Sequence, residues 1–139
     1  IYSNSKFRNN AENYEIIRTT KKIYKDLKGS VVPNLFWKNS EQFTKKGIGF
    51  SLILNDEVAS TAFSSCLREN QLEIGIETLK KYQGMGLAKH ACSALIDYCL
   101  KHELEPVWSC RLDNTGSYEL AKKLGFIPSR TLPYYILNN

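Results

Sequence analysis

The stretch from Leu72 to Glu103, LEIGIETLKKYQGMGLAKHACSALIDYCLKHE, decides how the chain is read. Leu72, Ile74, Ile76 and Thr78 alternate with Glu73, Gly75 and Glu77, the period of a strand with one apolar and one polar face. After Leu87 the apolar residues recur at Ala88, Cys92, Leu95 and Cys99, with Ala91 and Tyr98 beside them. Lys89, Ser93, Asp97 and Lys101 mark the opposite side, so this segment reads as an amphipathic helix. A strand that turns through glycines into a helix gathers unpaired N–H groups at the positive end of the helix dipole, where a phosphate is well accommodated. A P-loop would need Gly-Lys-Ser/Thr closing the turn, but Gly86 is followed by Leu87 and Ala88. A dinucleotide fingerprint would need a small residue three positions after Gly86, where Lys89 stands, and too little chain follows for a doubly wound domain. Both readings fail.

Outward from this stretch, the 139 residues are 42% hydrophobic, and no charge-free apolar run is long enough to cross a bilayer. The expectation is one soluble domain over residues 1–139, large enough for a sizeable core, without a secretory leader in IYSNSKFRNN. Because the first residue is Ile1, this domain could be the C-terminal part of a longer chain. The net charge of +5 suits an anionic partner, but the lysines are scattered and no RNA-recognition or zinc-knuckle pattern accompanies them, so neither nucleic acid nor membrane is expected. Cys66, Cys92, Cys99 and Cys110 form no Cys-x-x-Cys pair and read as small buried residues of a reducing, cytoplasmic setting. His90 and His102, twelve residues apart, lack metal-ligand spacing and read as surface residues; no metal site is expected.

Taken in order, Tyr14 to Ile17 reads as a strand and Thr19 to Lys28 as a helix stopped by Gly29 and Ser30. Phe36 and Trp37 are either core plugs or walls of a pocket. Ser40 opens a second helix that ends by Gly47. Gly49 to Leu54 and Val58 to Leu67 form a hairpin through Asn55-Asp56-Glu57, and Arg68-Glu69-Asn70 turns the chain into the Leu72 strand. A strand over Pro106 to Cys110, a helix over Ser117 to Leu124 capped by Gly125, and a last strand over Thr131 to Leu137 complete a mixed, largely antiparallel α/β sheet with helices on both faces.

Gln83-Gly84-Met85-Gly86-Leu87-Ala88 resembles the Gln/Arg-x-x-Gly-x-Gly/Ala turn of the GCN5-related N-acetyltransferase (GNAT) superfamily. Asn114-Thr-Gly-Ser117-Tyr118 running on to Leu124-Gly125-Phe126 resembles its Asn…Leu-x-x-Lys-Leu-Gly-Phe element. Phe36-Trp37, Lys46 to Phe50, Ile76-Glu77-Thr78, Tyr82, Gly86 to Ala88, Pro106-Val107-Trp108, Ser109-Cys110 and Ala121 to Phe126 look, more narrowly, like the zwittermicin-resistance-type acetyltransferases. The resemblance covers the chain from about Phe7 onward and implies a GNAT-like sheet with a splayed pair of central strands. It implies acetyl-coenzyme A as cofactor, its pyrophosphate on the amides of Gln83, Gly84, Met85, Gly86, Leu87 and Ala88. The pantetheine arm would pair with the strand at Ile76 and Thr78, with Asn114 and Ser117 nearby. An open strand edge is required, and Gly75 serves either as the bulge that opens it or as relief beneath a neighbouring aromatic ring.

The implied reaction is acetyl transfer to a primary amine of a small molecule by direct attack on the thioester, in a monomer or homodimer. The alternatives are a peptide or protein N-acetyltransferase and a non-catalytic coenzyme A-binding module. A thiol with pKa near ~8.5 leaves readily, whereas an amine near ~10.4 needs a base. Glu69, Glu73 and Glu77 share parity and form an acidic stripe, with Glu77 the first candidate for base or proton relay and Glu73 the second. A solvated face carrying ion pairs is the competing explanation. Carbonyl polarisation falls to a main-chain N–H near Thr78 or Leu79. Where many superfamily members place a tyrosine as acid for the departing thiolate, this chain has Ala121, and Tyr118 one turn earlier is the substitute candidate.

Overall fold

Asn55 and Asp56 both have positive φ, 54° and 61°, and fold the chain into a two-residue hairpin turn whose twist matches that of the flanking strands. The computed structural model to which that turn belongs describes residues 14–29, 31–109, 115–128 and 134–136, with the main chain alone at 109, 115–118, 127, 128 and 134–136. Its elements are β1 (Tyr14–Arg18), α1 (Lys21–Asp26), a 3-10 turn (Pro33–Leu35), α2 (Ser40–Lys46), β2 (Gly49–Leu54), β3 (Glu57–Arg68) and β4 (Gln71–Thr78). A second 3-10 turn (Lys80–Tyr82) leads into α3 (Leu87–Lys101), then β5 (Glu105–Ser109), α4 (Thr115–Leu124), β6 (Ile127–Pro128) and β7 (Tyr134–Ile136). No described helix is long and apolar enough to cross a membrane.

The strands form one sheet in the order β1-β2-β3-β4-β5-β7-β6. Every neighbouring pair is antiparallel except β4 and β5, which are parallel with α3 as the crossover. That pairing lasts for three rungs, Gln71 with Glu105, Leu72 with Pro106 and Glu73 with Val107, after which β4 continues to Thr78 without a β5 partner. This is the expected splay. The expected bulge at Gly75 is not there: the register shift between β3 and β4 falls at Ser65 of β3, between Ser64 and Cys66.

Two faces follow from the strand alternation. On one, Leu72 and Ile74 of β4 meet Ala91, Cys92, Leu95 and Cys99 of α3, Trp108 of β5, Ala121 of α4 and Phe126, all buried in one cluster. On the other, Tyr24 of α1 and Phe43 of α2 pack on Phe63 of β3. Helices therefore cover both faces, and each apolar side chain so buried contributes on the order of 1.5–3 kcal/mol.

Helix boundaries moved where local capping decides them. Asn39, not Ser40, caps α2: its Oδ1 accepts from Gln42 N–H at 2.8 Å, while Gln42 Oε1 accepts from Lys38 N–H at 2.8 Å. Thr20 caps α1, which ends at Asp26 rather than at Lys28. α4 begins at Thr115, so Ser117 lies inside the helix and not at its cap. At its other end the N–H groups of Gly125 (φ 102°) and Phe126 return to Lys122 and Ala121 carbonyls at 3.1 and 2.9 Å, closing the helix as expected. The last strand is described over Tyr134–Ile136, with Thr131 and Leu137 outside the described residues, and the short β6 was not anticipated.

Candidate active site

The turn between β4 and α3 is held from below by side chains and left bare above. The Tyr82 ring is buried with Leu52, Leu54 and Leu87, and its hydroxyl donates to Glu57 Oε2 at 2.6 Å. Lys81 Nζ reaches the same oxygen at 2.6 Å. The Lys81 ammonium, and after it the Tyr82 hydroxyl, hold the Glu57 carboxyl below the usual carboxylate range. Thus the β2–β3 hairpin anchors the residues just before the glycines. Gly84 and Gly86 have φ of 84° and 80°, the left-handed region that favours glycine, and a Cβ at either would meet nothing within 4 Å. Gly86 is the N-cap of α3 and supplies no side-chain oxygen, so the first N–H groups of a fifteen-residue helix emerge uncapped over that open space. A diphosphate fits there.

The opening belongs to a cleft of about 380 Å³ lined by Thr78, Tyr82, Gln83, Gly84, Gly86, Leu87 and Ala88 from the turn, by Lys89, and by Glu119, Leu120 and Lys123 of α4. Leu87 turns its side chain into the core and Met85 is largely exposed, so their part in the turn is a main-chain one. Lys89 and Lys123 bring two cations to the cleft, which favours a polyanion. In the sequence Lys89 served to mark the polar face of the helix and to reject a dinucleotide site, and Lys123 was given no role. Their signal was available: Lys89 lies in the first turn after the glycines.

Next to this cleft runs the open edge. Leu79 N–H donates to the Ala59 carbonyl at 2.9 Å, and on the other side of the strand the Asn70 carbonyl accepts from Glu105 N–H at 2.7 Å. Peptide groups alternate in direction along a strand, so the main chain of the odd-numbered residues faces β3 and that of the even-numbered residues faces β5. Beyond the last rung, Ile76 and Thr78 accordingly turn their N–H and C=O groups to the gap. Gln83 Nε2 donates to the Thr78 carbonyl there, at 3.2 Å. Of the two N–H groups considered for polarising a carbonyl, that of Leu79 is spent within the sheet.

The carboxylates lie on the odd-numbered face. Glu69 is in the turn before β4, with φ 55°, so the stripe of three shortens to Glu73 and Glu77. Glu77 Oε1 accepts from Val31 N–H at 2.9 Å. Between the two carboxylates, Gly75 lies under Phe63: a Cβ there would stand 2.6 Å from the ring, so of the two explanations for this glycine the relief of crowding is the one observed. Phe36 is half exposed, its ring 5.9 Å from that of Phe63. Trp37 turns inward, donating to the Ser64 carbonyl at 2.6 Å and meeting Phe43 edge-on. Trp37 of the aromatic pair is therefore packing, whereas Phe36 keeps half of its surface exposed.

Ala121 is buried against the core. Ser117 and Tyr118 lie in the first turn of α4, their side chains outside the described part, and Asn114 and Cys110 lie outside the described residues. Cys92 and Cys99 are buried, and burial pushes their thiols far up, that of Cys99 to about 12; Cys66 is half-buried. His102 is exposed, but His90, expected at the surface, is buried and stacked on Tyr14 with ring centroids 5.6 Å apart.

A family model described as GNAT acetyltransferase matches residues 3–135. An uncharacterised N-acetyltransferase of Bacillus subtilis strain 168, YdfB, is 37% identical over 91 residues, 66% of this chain and 35% of that protein. The crystal structure of a GCN5-related N-acetyltransferase-like protein from Streptococcus suis 89/1591 superposes with a TM-score of 0.75 at 27% identity, covering 97% of this chain and 51% of the other. The spermidine/spermine N-acetyltransferase SpeG of Vibrio cholerae shares the fold at a TM-score of 0.66 and 12% identity, over 89% of this chain and 91% of its own. The chain thus spans about a third of the matched curated relative and about half of the Streptococcus protein. A glycine-built helix terminus beside an unpaired half-strand and a family match over nearly the whole sequence agree, and the chain belongs to the GNAT acetyltransferase family.

Proposed function

We propose that this chain is an acetyl-coenzyme A-dependent N-acetyltransferase whose acceptor is a primary amine on a small molecule. The observation that carries the reading is the uncapped N-terminus of α3 above Gly84 and Gly86, beside the stretch of β4 at Ile76 and Thr78 that runs on past its last rung with β5. Bound there, acetyl-coenzyme A supplies an acetyl group already activated as a thioester. Amides of the turn hold phosphate oxygens, Lys89 and Lys123 add positive charge, and Ile76 and Thr78 take the arm as a sheet takes another strand. The Thr78 N–H, facing the gap, polarises the carbonyl.

On the opposite face Glu77 receives the proton of the acceptor ammonium and Glu73 adds negative potential; the half-exposed Phe36 borders the acceptor's apolar part. Ala121 cannot protonate the thiolate, so the thiolate departs without a dedicated acid or takes a proton from Tyr118. The narrower likeness to zwittermicin-resistance-type enzymes, and an acidic face suited to a compact cation, favour a small-molecule amine over a polypeptide.

The test is a thermal melt. Acetyl-coenzyme A at a hundredfold excess over its Kd contributes about 2.7 kcal/mol and raises the midpoint by roughly 10 °C, whereas ATP and NAD at equal concentration do not. Gly86→Val removes that rise while costing the free protein only the ~1–2 kcal/mol of a side chain in the left-handed region. Equal stabilisation by ATP refutes the cofactor assignment. A screen of amines with thiol-release detection then identifies the acceptor.

A further inference from the structure

Among the described residues, Glu77 is the one carboxylate of β4 that a main-chain N–H from outside the sheet grips, and what grips it is the connection leaving α1. Val31 N–H donates to its Oε1 at 2.9 Å. Gly29, at φ 146°, lies so close on the other side that a Cβ there would stand 2.6 Å from Oε2 and 2.7 Å from the carboxyl carbon. A side chain at position 29 would therefore be strained in its own backbone and would strike both the oxygen and the carbon of the carboxyl group. The residue opposite in the sheet, Thr61, gives no competing hold: its hydroxyl is bonded to Ser51 Oγ at 2.9 Å, and Ser51 in turn to Thr19 Oγ1 at 2.9 Å. Val31 thus holds the carboxyl by a charge-assisted hydrogen bond, and Gly29, having no side chain, leaves the room that this orientation needs.

We propose that Gly29 and the Val31 main-chain N–H are positioning groups for Glu77, keeping its carboxylate in the one orientation from which it takes the proton of the acceptor amine. The inference rests on Glu77 serving as the proton acceptor of the reaction proposed above, and it adds a requirement on residues 46 or more positions away in the sequence. Neither group touches the reacting atoms. Restricting the carboxylate to one orientation removes a reorganisation that would otherwise fall within the proton-transfer step, and a misplacement of about 1 Å in such a group costs up to ~100-fold. The glycine at position 29, which in sequence reads as a helix stop, is by this account a glycine of the active site.

Two measurements on the full chain decide it. In amide-resolved NMR, the Val31 amide proton moves upfield in Gly29→Ala and in Glu77→Gln, while the amides of Gly84 and Gly86 stay in place and the Kd for acetyl-coenzyme A changes less than roughly two-fold. In thiol-release assays at neutral pH, Gly29→Ala lowers kcat/KM for n-butylamine, which must lose a proton, by roughly 10- to 100-fold. It leaves trifluoroethylamine, already unprotonated, within about two-fold. A general loosening of the fold would depress both amines alike, and that result overturns the proposal. So does a Val31 resonance indifferent to both substitutions, which needs no turnover to observe. An absent acetyl-coenzyme A response with a shifted Val31 amide would instead refute the acetyl-transfer reading and leave the contact standing.

Discussion

At Gly84 and Gly86 a Cβ would meet nothing within 4 Å, while at Gly75, earlier on the same chain, it would stand 2.6 Å from the Phe63 ring. Gly49 is crowded too, its Cβ position 2.7 Å from Thr19 Oγ1. The first pair keeps space empty and aims N–H groups into it; the sheet glycines let side chains of neighbouring strands and helices close on the main chain. On the side proposed for the cofactor, then, the surface is main chain and the glycines leave it bare. On the side proposed for the acceptor the surface is side chain, and the glycines belong to the packing that carries it. The same letter in the sequence stands for opposite demands on volume.

The contrast can be broken experimentally. Gly75→Ala forces the Phe63 ring to shift and lowers stability by about 1–3 kcal/mol, yet leaves the rise of the midpoint with acetyl-coenzyme A unchanged; Phe63→Leu in the same chain returns part of the loss. A Gly75→Ala protein of normal stability that no longer responds to the cofactor would make Gly75 a ligand glycine and erase the distinction. A smaller effect is expected at the anchor beneath the turn. Glu57→Gln weakens its hold on Lys81 and Tyr82, so the Kd for acetyl-coenzyme A, read by calorimetry, rises at most roughly five-fold. Because the folded Glu57 carboxyl is held below its ordinary range, that support is complete above the ordinary carboxylate pKa and fades as pH falls through the lowered value.

The smallest effect concerns His90. Burial, followed by the neighbouring Lys89 charge, lowers its pKa below 6.5, so the unfolded chain takes up the proton first as pH falls. Stability therefore declines as pH drops below about 6.5 and levels off once the folded state is protonated as well. The midpoint, followed by circular dichroism between pH 7.5 and 5, should fall by a few degrees in the parent chain and less in His90→Phe. An identical decline in both would remove His90 as its source.

What the sequence disclosed follows the same division. The β4 strand, the glycine turn and the α3 helix were readable, because they depend on main-chain conformation and on periodicity, whereas the splay of β4 from β5 came from the family resemblance alone. The cap at Asn39 was passed over in favour of Ser40, although Gln42, three residues after Asn39, carries the bond back to Lys38 N–H that accompanies it. His90 falls between Leu87 and Ala94 on the buried stripe of α3, and its spacing outweighed its polarity. The bulge at Ser65, the hold of Val31 on Glu77 and the inward turn of Trp37 could not be read, since each depends on residues far apart in the chain meeting across the sheet.

The parallel joint between β4 and β5 also bears on how the protein assembles. Within β1 to β4 every neighbouring pair is antiparallel, and the β2–β3 and β3–β4 pairs close through two-residue turns. β5 reaches β4 only after the whole of α3 has crossed over. Loop-closure entropy delays such non-local pairing, so the meander is expected to collapse first and the seam proposed for acetyl-coenzyme A to form last on the folding path. A ligand seated in that seam would slow unfolding far more than it would speed folding.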